Sequence, residues 1–429
     1  MAALFPIISV LVLFGIIMLI FTQEKMDYVA YSLLAAVITV FITSMYFHTS
    51  FDEFLQHVEF EPIMFIISMQ IIVKIMEEQN IFQWIAIKTL HLTKGNHRLF
   101  FYLISILSCL SAAILSDITV AIIFVPLVIR ACRILKIKPA PYLFGITFTI
   151  NIGSIYTPFS SSENILIAHA FDLNLFWFLK SFSLFILPVL LFTLFLIDIT
   201  VLRKESPPPE IQKTILLEIM NPNLVIIDKK RFLMNIFLFA SIIIGFALYP
   251  KAYVVAVIGA LLMILLNRIH FSKIITEIDW SVIFFFVALF LMIGAMEING
   301  TFAIISTWVI SIISDNIFLA SVMILVLTSF LSGFLDNIPV SLIFISLIEN
   351  IYGSTPPYLI LIAFLLGVNL GANILPQGAA CKLLALNLAS KNNIEGYNYK
   401  IVLKKGFIYA MMHIVLCMVY LFIFSLILS

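Results

Sequence analysis

Ser116-Asp117-Ile118-Thr119, then Asn151-Ile152-Gly153, then Asn164: the same series returns in the second half of the chain as Leu335-Asp336-Asn337-Ile338, Asn369-Leu370-Gly371 and Lys382. The offsets are 219 (117 to 336), 218 (151 to 369) and 218 (164 to 382), and Glu77 and Glu297, each preceded by Met, repeat at 220. A constant offset across different kinds of segment marks an internal duplication, which decides the architecture before any single motif does. The surrounding chain is suited to a bilayer. It is 63% hydrophobic and 11% charged, with a mean hydropathy of +1.16, where a soluble domain carries roughly 25% charged residues. In an all-α polytopic membrane protein, duplicated segments broken by Gly and Pro at matching places point to the substrate site of a transporter.

About 20 apolar residues are needed to cross a bilayer. Continuous spans are expected at 4–22, 27–47, 62–79 and 177–202, and again at 232–249, 252–269, 279–298 and 402–428. Each half holds two further stretches that are interrupted. In the first, two apolar arms within 99–135 meet at Ser116-Asp117, and 141–171 is a span broken between Asn151 and Asn164. In the second, arms 317–334 and 338–352 precede a broken span at 357–391. Four continuous spans and one broken span make five crossings, an odd number, so the second copy is inverted relative to the first. Each arm pair returns to its own side, as a re-entrant hairpin or as two full spans. The halves are 1–205 and 232–429, joined by a charged linker, 206–231, that carries Pro207-Pro208-Pro209. The first span has no basic stretch before it and reads as a retained helix, not a cleaved signal.

This topology puts 20 of the 24 basic residues on one side, Lys25, Arg130, Arg133, Lys229 and Lys405 among them. Lys180 and Lys251 fall on the other, and Lys74 and Lys382 lie inside spans. The positive-inside rule then places the linker in the cytoplasm and both termini outside, in a prokaryotic plasma membrane. A net charge of +1 argues against a nucleic-acid partner. Cys109, Cys132, Cys381 and Cys417 form no CxxC and read as packing residues. The seven histidines contain no metalloprotease spacing.

Backbone in hydrocarbon must be hydrogen-bonded internally, so a broken helix persists only where protein buries it or it lines a cavity. Asn151, Gly153 and Pro158 break the first span; Asn369, Gly371, Asn373, Pro376 and Gly378 break the second. Thr157, Ser160, Ser161 and Asn164 supply replacement ligands, with Ser116 and Thr119 at the first arm tip and Asn337 at the second. Freed carbonyls suit Na⁺, and helix N-termini suit anions. Ionisable groups at this depth are functional by default, which selects Asp117, Asp336, Glu163 and Lys382. Lys382 stands where the first repeat has Asn164. Three roles are open to it: doing the work of a bound Na⁺, pairing with Asp117 or Asp336, or snorkelling to the cytoplasmic surface. Lys74 and Glu78 are spaced as a self-neutralising i,i+4 pair, and Glu297 is expected to be solvated. Residues 81–97 and their counterpart 301–314 read as interfacial amphipathic helices.

Thr157-Pro-Phe-Ser-Ser-Ser-Glu-Asn164-Ile-Leu-Ile resembles, in register, the T-L-I-G-D-P-P-N motif of the ion transporter superfamily. Leu331-Ser-Gly-Phe-Leu-Asp336-Asn337-Ile-Pro-Val is similar to the S-A-F-L-D-N motif of the ArsB/NhaD/P-protein permeases, and Leu370-Gly371-x-x-Ile374-x-Pro376-x-Gly378 resembles the arsenite-permease pattern. The related divalent-anion:sodium symporters carry S-N-T at the same arm tips. The resemblance implies an inverted repeat of two halves, each with a re-entrant helical hairpin and a broken transmembrane helix, meeting at a midplane site. It also implies a homodimer with a moving transport domain. The expected activity is ion-coupled secondary transport of a small anion or oxyanion by an elevator mechanism. Na⁺/H⁺ antiport of the NhaD type is the alternative, ahead of a channel or an intramembrane enzyme. No cofactor is expected beyond Na⁺ or H⁺ as coupling ion, with Na⁺ near Ser116, Asp117, Asn151 and Ser160.

Overall fold

Proline, glycine and capping side chains cut the apolar runs into helices at the expected places. The computed structural model describes residues 4–21, 26–249, 251–312, 316–335 and 337–428. The expectations for Lys25 and Asp336 fall outside the described residues. In the first half the helices are α1 (Leu4–Phe21), α2 (Tyr28–Phe47), the short α3 (Phe51–Leu55), α4 (Phe60–Glu78), α5 (Ile81–Leu92), α6 (His97–Ala112), α7 (Asp117–Leu135), α8 (Ala140–Gly153), α9 (Ser162–Ala170) and α10 (Leu175–Thr200). The linker contributes α11 (Glu210–Ile219). The second half follows with α12 (Lys229–Leu248), α13 (Ala252–Asn267), the short α14 (Phe271–Ile275), α15 (Trp280–Ile298), α16 (Thr301–Ile312), α17 (Ile317–Phe334), α18 (Asn337–Tyr352), α19 (Tyr358–Gly371), α20 (Ala380–Lys391) and α21 (Tyr399–Leu428). Asn96, Ser116, Ser161, Asn174, Asp228 and Asn316 cap α6, α7, α9, α10, α12 and α17 through their side chains. They satisfy backbone N–H groups that a helix start leaves open.

The packing repeats with the sequence. α2 lies on α15 as α13 lies on α4; α6 packs on α8 as α17 packs on α19; α7 meets α20 as α18 meets α9. α4 and α15, equivalent in the two copies, run antiparallel. His57 Nδ1, just before α4, is 2.9 Å from Glu297 at the end of α15. At the opposite ends Lys74 Nζ is 3.2 Å from Glu277 and Lys273 Nζ is 3.6 Å from Glu78. An inverted repeat requires this arrangement. Ion pairs also sort by side. Lys251–Glu61 and His57–Glu297 join residues assigned to the basic-poor side, while Arg98–Asp198 and Lys138–Glu205 join residues of the basic side.

One local expectation is corrected. Lys74 pairs with Glu77 (3.8 Å) and Glu277, not with Glu78, because the turn into α15 brings Glu277 and Lys273 against the end of α4. Glu297 is exposed, as expected, and meets His57 there, since the loop before α4 folds over the end of α15.

α8 and α19 form the centre. Every residue of α8 is buried, as is every residue of α19 after Tyr358, which fits helices that are apolar all round. Their partners approach closely because glycine leaves room. A Cβ on Gly153 would stand 2.0 Å from the Cys109 carbonyl oxygen, and one on Gly371 2.3 Å from that of Ser329. Small residues at such contacts let membrane helices pack backbone to backbone. The hairpin α6–α7 turns at the level of the first break, where Thr157 Oγ1 donates to the Ala113 carbonyl. The hairpin α17–α18 likewise turns beside the second break, where a Cβ on Gly333 would stand 3.0 Å from the Gly371 carbonyl oxygen.

Candidate functional site

The two breaks face each other. α8 ends at Gly153, a short 3₁₀ turn covers Ser154–Tyr156, and α9 restarts after Ser161. α19 ends at Gly371, Pro376–Gly378 form a 3₁₀ turn, and α20 restarts at Ala380. Four carboxamides and a serine join the breaks. Asn151 Nδ2 donates to Asn373 Oδ1 (3.0 Å), Ser154 Oγ to Asn369 Oδ1 (3.0 Å), and Asn369 Nδ2 to Asn164 Oδ1 (2.9 Å). Each such bond contributes about 0.5–1.5 kcal/mol net. Together they fix the crossing of helices that carry little other polar surface. The Asn373 Nδ2 donor is buried and has no partner among the described residues.

Freed carbonyls at the end of each first arm are satisfied in two different ways. In the first repeat, Asn164 Nδ2 donates to the Ser154 carbonyl (2.7 Å) and the Thr157 carbonyl (3.1 Å), and lies 3.1 Å from Ser160 Oγ. Ser160 Oγ also contacts the Ser154 and Thr157 carbonyls. In the second repeat Lys382 Nζ donates to the Ala372 carbonyl (3.1 Å), the equivalent of Ser154, and stands 4.8 Å from the centre of the Phe148 ring. An ammonium here makes a charge-assisted bond and a cation–π contact where the first repeat uses a neutral amide. Lys382 is 1% exposed, so it does not snorkel. Among the described residues no carboxylate lies within 4.0 Å of Nζ. Gly378 replaces Ser160, and a Cβ there would meet the carbonyl oxygens of Gly333 (3.0 Å), Ala372 (3.1 Å) and Ser332 (3.2 Å).

Each hairpin tip docks on the restarted helix of the other repeat. Asp117 Oδ1 accepts from the Ile118 N–H (2.9 Å) at the start of α7, which packs on α20. Asn337 Nδ2 donates to Glu163 Oε1 (2.9 Å) in the first turn of α9. Both carboxylates thus lie at helix N-termini, where the helix dipole favours negative charge. Ser116 and Thr119 bond each other through their hydroxyls (2.7 Å) at the exposed end of α7. Asn151, Gly153, Thr157, Ser160, Ser161, Glu163, Asn164, Asn369, Gly371, Asn373, Gly378 and Lys382 are all buried around the crossing.

Four contributors escaped the sequence reading. Ser154 bridges the repeats, and Phe148 lies under Lys382. Ser332 Oγ lies 2.5 Å from both Asn337 Oδ1 and the Val368 carbonyl, donating to one of them. Cys381 Sγ is 3.7 Å from Asn151 Oδ1. Ser154 and Cys381 sit inside or beside the quoted breaks and could have been found by listing every polar side chain there; Phe148 carries no such signal.

The same architecture occurs in a solved transporter. The crystal structure of the Alcanivorax borkumensis YdaH transporter, described as having an unusual topology, superposes with a TM-score of 0.60 over 98% of this chain and 97% of that one, at 10% identity. A 46 kDa membrane protein of Mycobacterium leprae is 23% identical over 88% of this chain and 90% of its own length. The mouse P protein is 22% identical over 87% of this chain and 55% of its own. The family model described as citrate transporter matches residues 16–367 and again 254–428. Two broken helices crossing at a buried polar centre, on a fold shared with YdaH, thus belong to a membrane transporter, and the chain is a member of the CitMHS, or citrate transporter, family.

Proposed function

We propose that the protein carries a small carboxylate anion, of the citrate class, across the membrane by ion-coupled secondary transport. The observation that carries this is Lys382: a buried ammonium at the crossing of the breaks, with no carboxylate among the described residues in ion-pair contact. The unpartnered Asn373 Nδ2 supports it. A buried amide donor without a partner costs about 1–3 kcal/mol, a cost that an oxyanion ligand would remove. One fixed ammonium cannot balance a multiply charged anion in a site that already holds Asp117 and Glu163. Burying unbalanced charge is costly, so such a substrate must enter with Na⁺ or protons. The freed carbonyls and hydroxyls around Asn151, Ser160, Ser116 and Asp117 are where Na⁺ would bind.

The moving body in this proposal is the set α6–α10 with α17–α21, sliding as an elevator past α1, α2, α4, α12, α13 and α15, which would pair two copies into a homodimer. Both termini would lie outside, with the linker in the cytoplasm. Cysteines at 207–209 would then label only after permeabilisation, and those in the 48–61 loop without it.

Na⁺/H⁺ exchange is the second candidate, favoured by the buried Glu163 carboxylate beside the second hairpin tip. Uptake of labelled citrate and labelled Na⁺ into proteoliposomes separates the two. Citrate uptake that shows counterflow supports the anion permease. Saturable Na⁺ flux driven by a pH gradient, with no organic-anion uptake, replaces it with the antiporter.

A further inference from the structure

On the basic side, α7, the linker helix α11 and the end of α20 enclose a cleft of about 480 Å³. Its walls combine two arginines, Arg130 and Arg133, with Pro126, Ile129, Ile219 and Leu388. Arg133 is aimed by Asn392, whose Oδ1 accepts from its Nη2 at 2.9 Å. Arg130 is exposed and makes no ion pair or side-chain hydrogen bond among the described residues. Glu218, beside Ile219 on α11, is exposed and forms no ion pair with either arginine among the described residues.

Two features select the occupant. Ile122, Pro126 and Arg130 are exposed at every fourth residue of α7, a stripe of about 12 Å at 1.5 Å per residue that turns from apolar to cationic at the basic end. The linker also exposes Ile211 (72%), Ile219 (51%), Leu224 (79%) and Ile227 (83%) within a run of charged residues, the pattern of a segment lying in the bilayer interface. A hydrated multivalent anion gains nothing from apolar walls. A molecule with an anionic head and an acyl chain matches both parts of the cleft.

We propose that this cleft binds an anionic phospholipid, with its phosphate held by Arg130 and Arg133 and the start of an acyl chain lying along Pro126 and Ile122. Guanidinium forks match phosphate oxygens geometrically, and basic pockets between helices on the cytoplasmic side recognise such headgroups. The lipid would tie the linker to α7 and α20, which both carry groups of the central site.

The test uses delipidated full-length protein in detergent, followed by native mass spectrometry and thermal unfolding. Three probes are compared: phosphatidylglycerol, phosphatidylcholine with the same chains, and glycerol 1-phosphate. Phosphatidylglycerol should form a retained adduct and raise the unfolding midpoint, while the other two do neither. Arg130→Gln and Arg133→Gln should each weaken phosphatidylglycerol binding roughly fivefold, and Ile219→Ser, which trims the apolar wall without adding a charge, should weaken it as well. Lys230→Gln, on the same side of the membrane, should not. If Arg133→Gln fails to fold for want of the Asn392 bond, Arg130→Gln decides, having no internal partner to lose. Equal binding of phosphatidylcholine, a full effect from glycerol 1-phosphate, or unchanged binding in Arg130→Gln would each overturn the proposal.

Discussion

Lys382→Asn gives the second repeat the residue that the first repeat carries at Asn164. The new amide can copy Asn164 in part, reaching toward the Ala372 carbonyl, but Gly378 offers no hydroxyl where Ser160 does. The fold should survive. A charge-assisted hydrogen bond of about 1.5–3 kcal/mol gives way to a neutral one of about 0.5–1.5, and the contact with Phe148 adds a loss of about 0.5–2. Relief of the buried ammonium's desolvation offsets part of this. The thermal midpoint should move by no more than a few degrees. Transport should respond far more. A substrate carboxylate about 4 Å from the ammonium loses about 4 kcal/mol at an effective dielectric constant of 20, near a thousandfold in affinity. The carbonyls of Ser332, Gly333 and Ala372 converge at Gly378, and freed of the ammonium they can take a Na⁺ in its place. The assay is initial-rate uptake in proteoliposomes across a sodium series and a pH series. The expected result is loss of uptake in sodium-free medium, with any returning activity dependent on external Na⁺ or on acid pH. An unchanged rate, sodium dependence and pH profile would refute the role given to Lys382 and leave the charge logic to Asp117 and Glu163.

Gly371→Ala would place a Cβ 2.3 Å from the Ser329 oxygen and 2.6 Å from its Cα. Only backbone can yield there, so a cost toward the upper end of about 1–3 kcal/mol is expected; thermal unfolding should show it for Gly153→Ala too, and not for Gly15→Ala, which meets nothing within 4 Å. Asn337→Ala breaks the bond between the second hairpin tip and α9, and Glu163→Gln keeps an acceptor there but removes its charge; both should abolish uptake while leaving a monodisperse protein, and wild-type rates would move the site elsewhere. Glu59 lies outside the spans, and burial first, then Glu349, Glu297 and Glu61, raises its carboxyl to about 7, with His169 facing it at 3.4 Å. An acid whose folded pKa is raised binds its proton more tightly when folded, so stability falls as pH rises from about 4.5 to about 7. Glu59→Gln should remove that slope: little difference from wild type at pH 4, and a higher midpoint than wild type at pH 8.

The duplication, the membrane character and the places where helices break were legible in the chain because they are local. Apolar run length selects the spans, helices end where Gly, Pro and polar residues cluster at 151–158 and 369–378, while Pro126 and Pro188 standing alone stay inside α7 and α10, and an odd number of crossings predicts inversion. Helix limits accordingly came within a few residues of those read from the sequence. Pairing across the molecule was not legible, because it depends on which elements the fold brings together. Lys74 had a plausible partner four residues away, yet it bonds Glu277, some two hundred residues on. Glu297 had none nearby and found His57. At the site, the repeat offset marked Asn151, Asn164, Asn369 and Lys382, but it could not say that Ser154 would bridge to Asn369 or that Phe148 would lie under the ammonium. That Lys382 stays inside instead of snorkelling to the surface rested on depth and direction. A four-carbon stem reaches the surface or the core equally well, and only the packing of α8, α19 and α20 aims it at the Ala372 carbonyl.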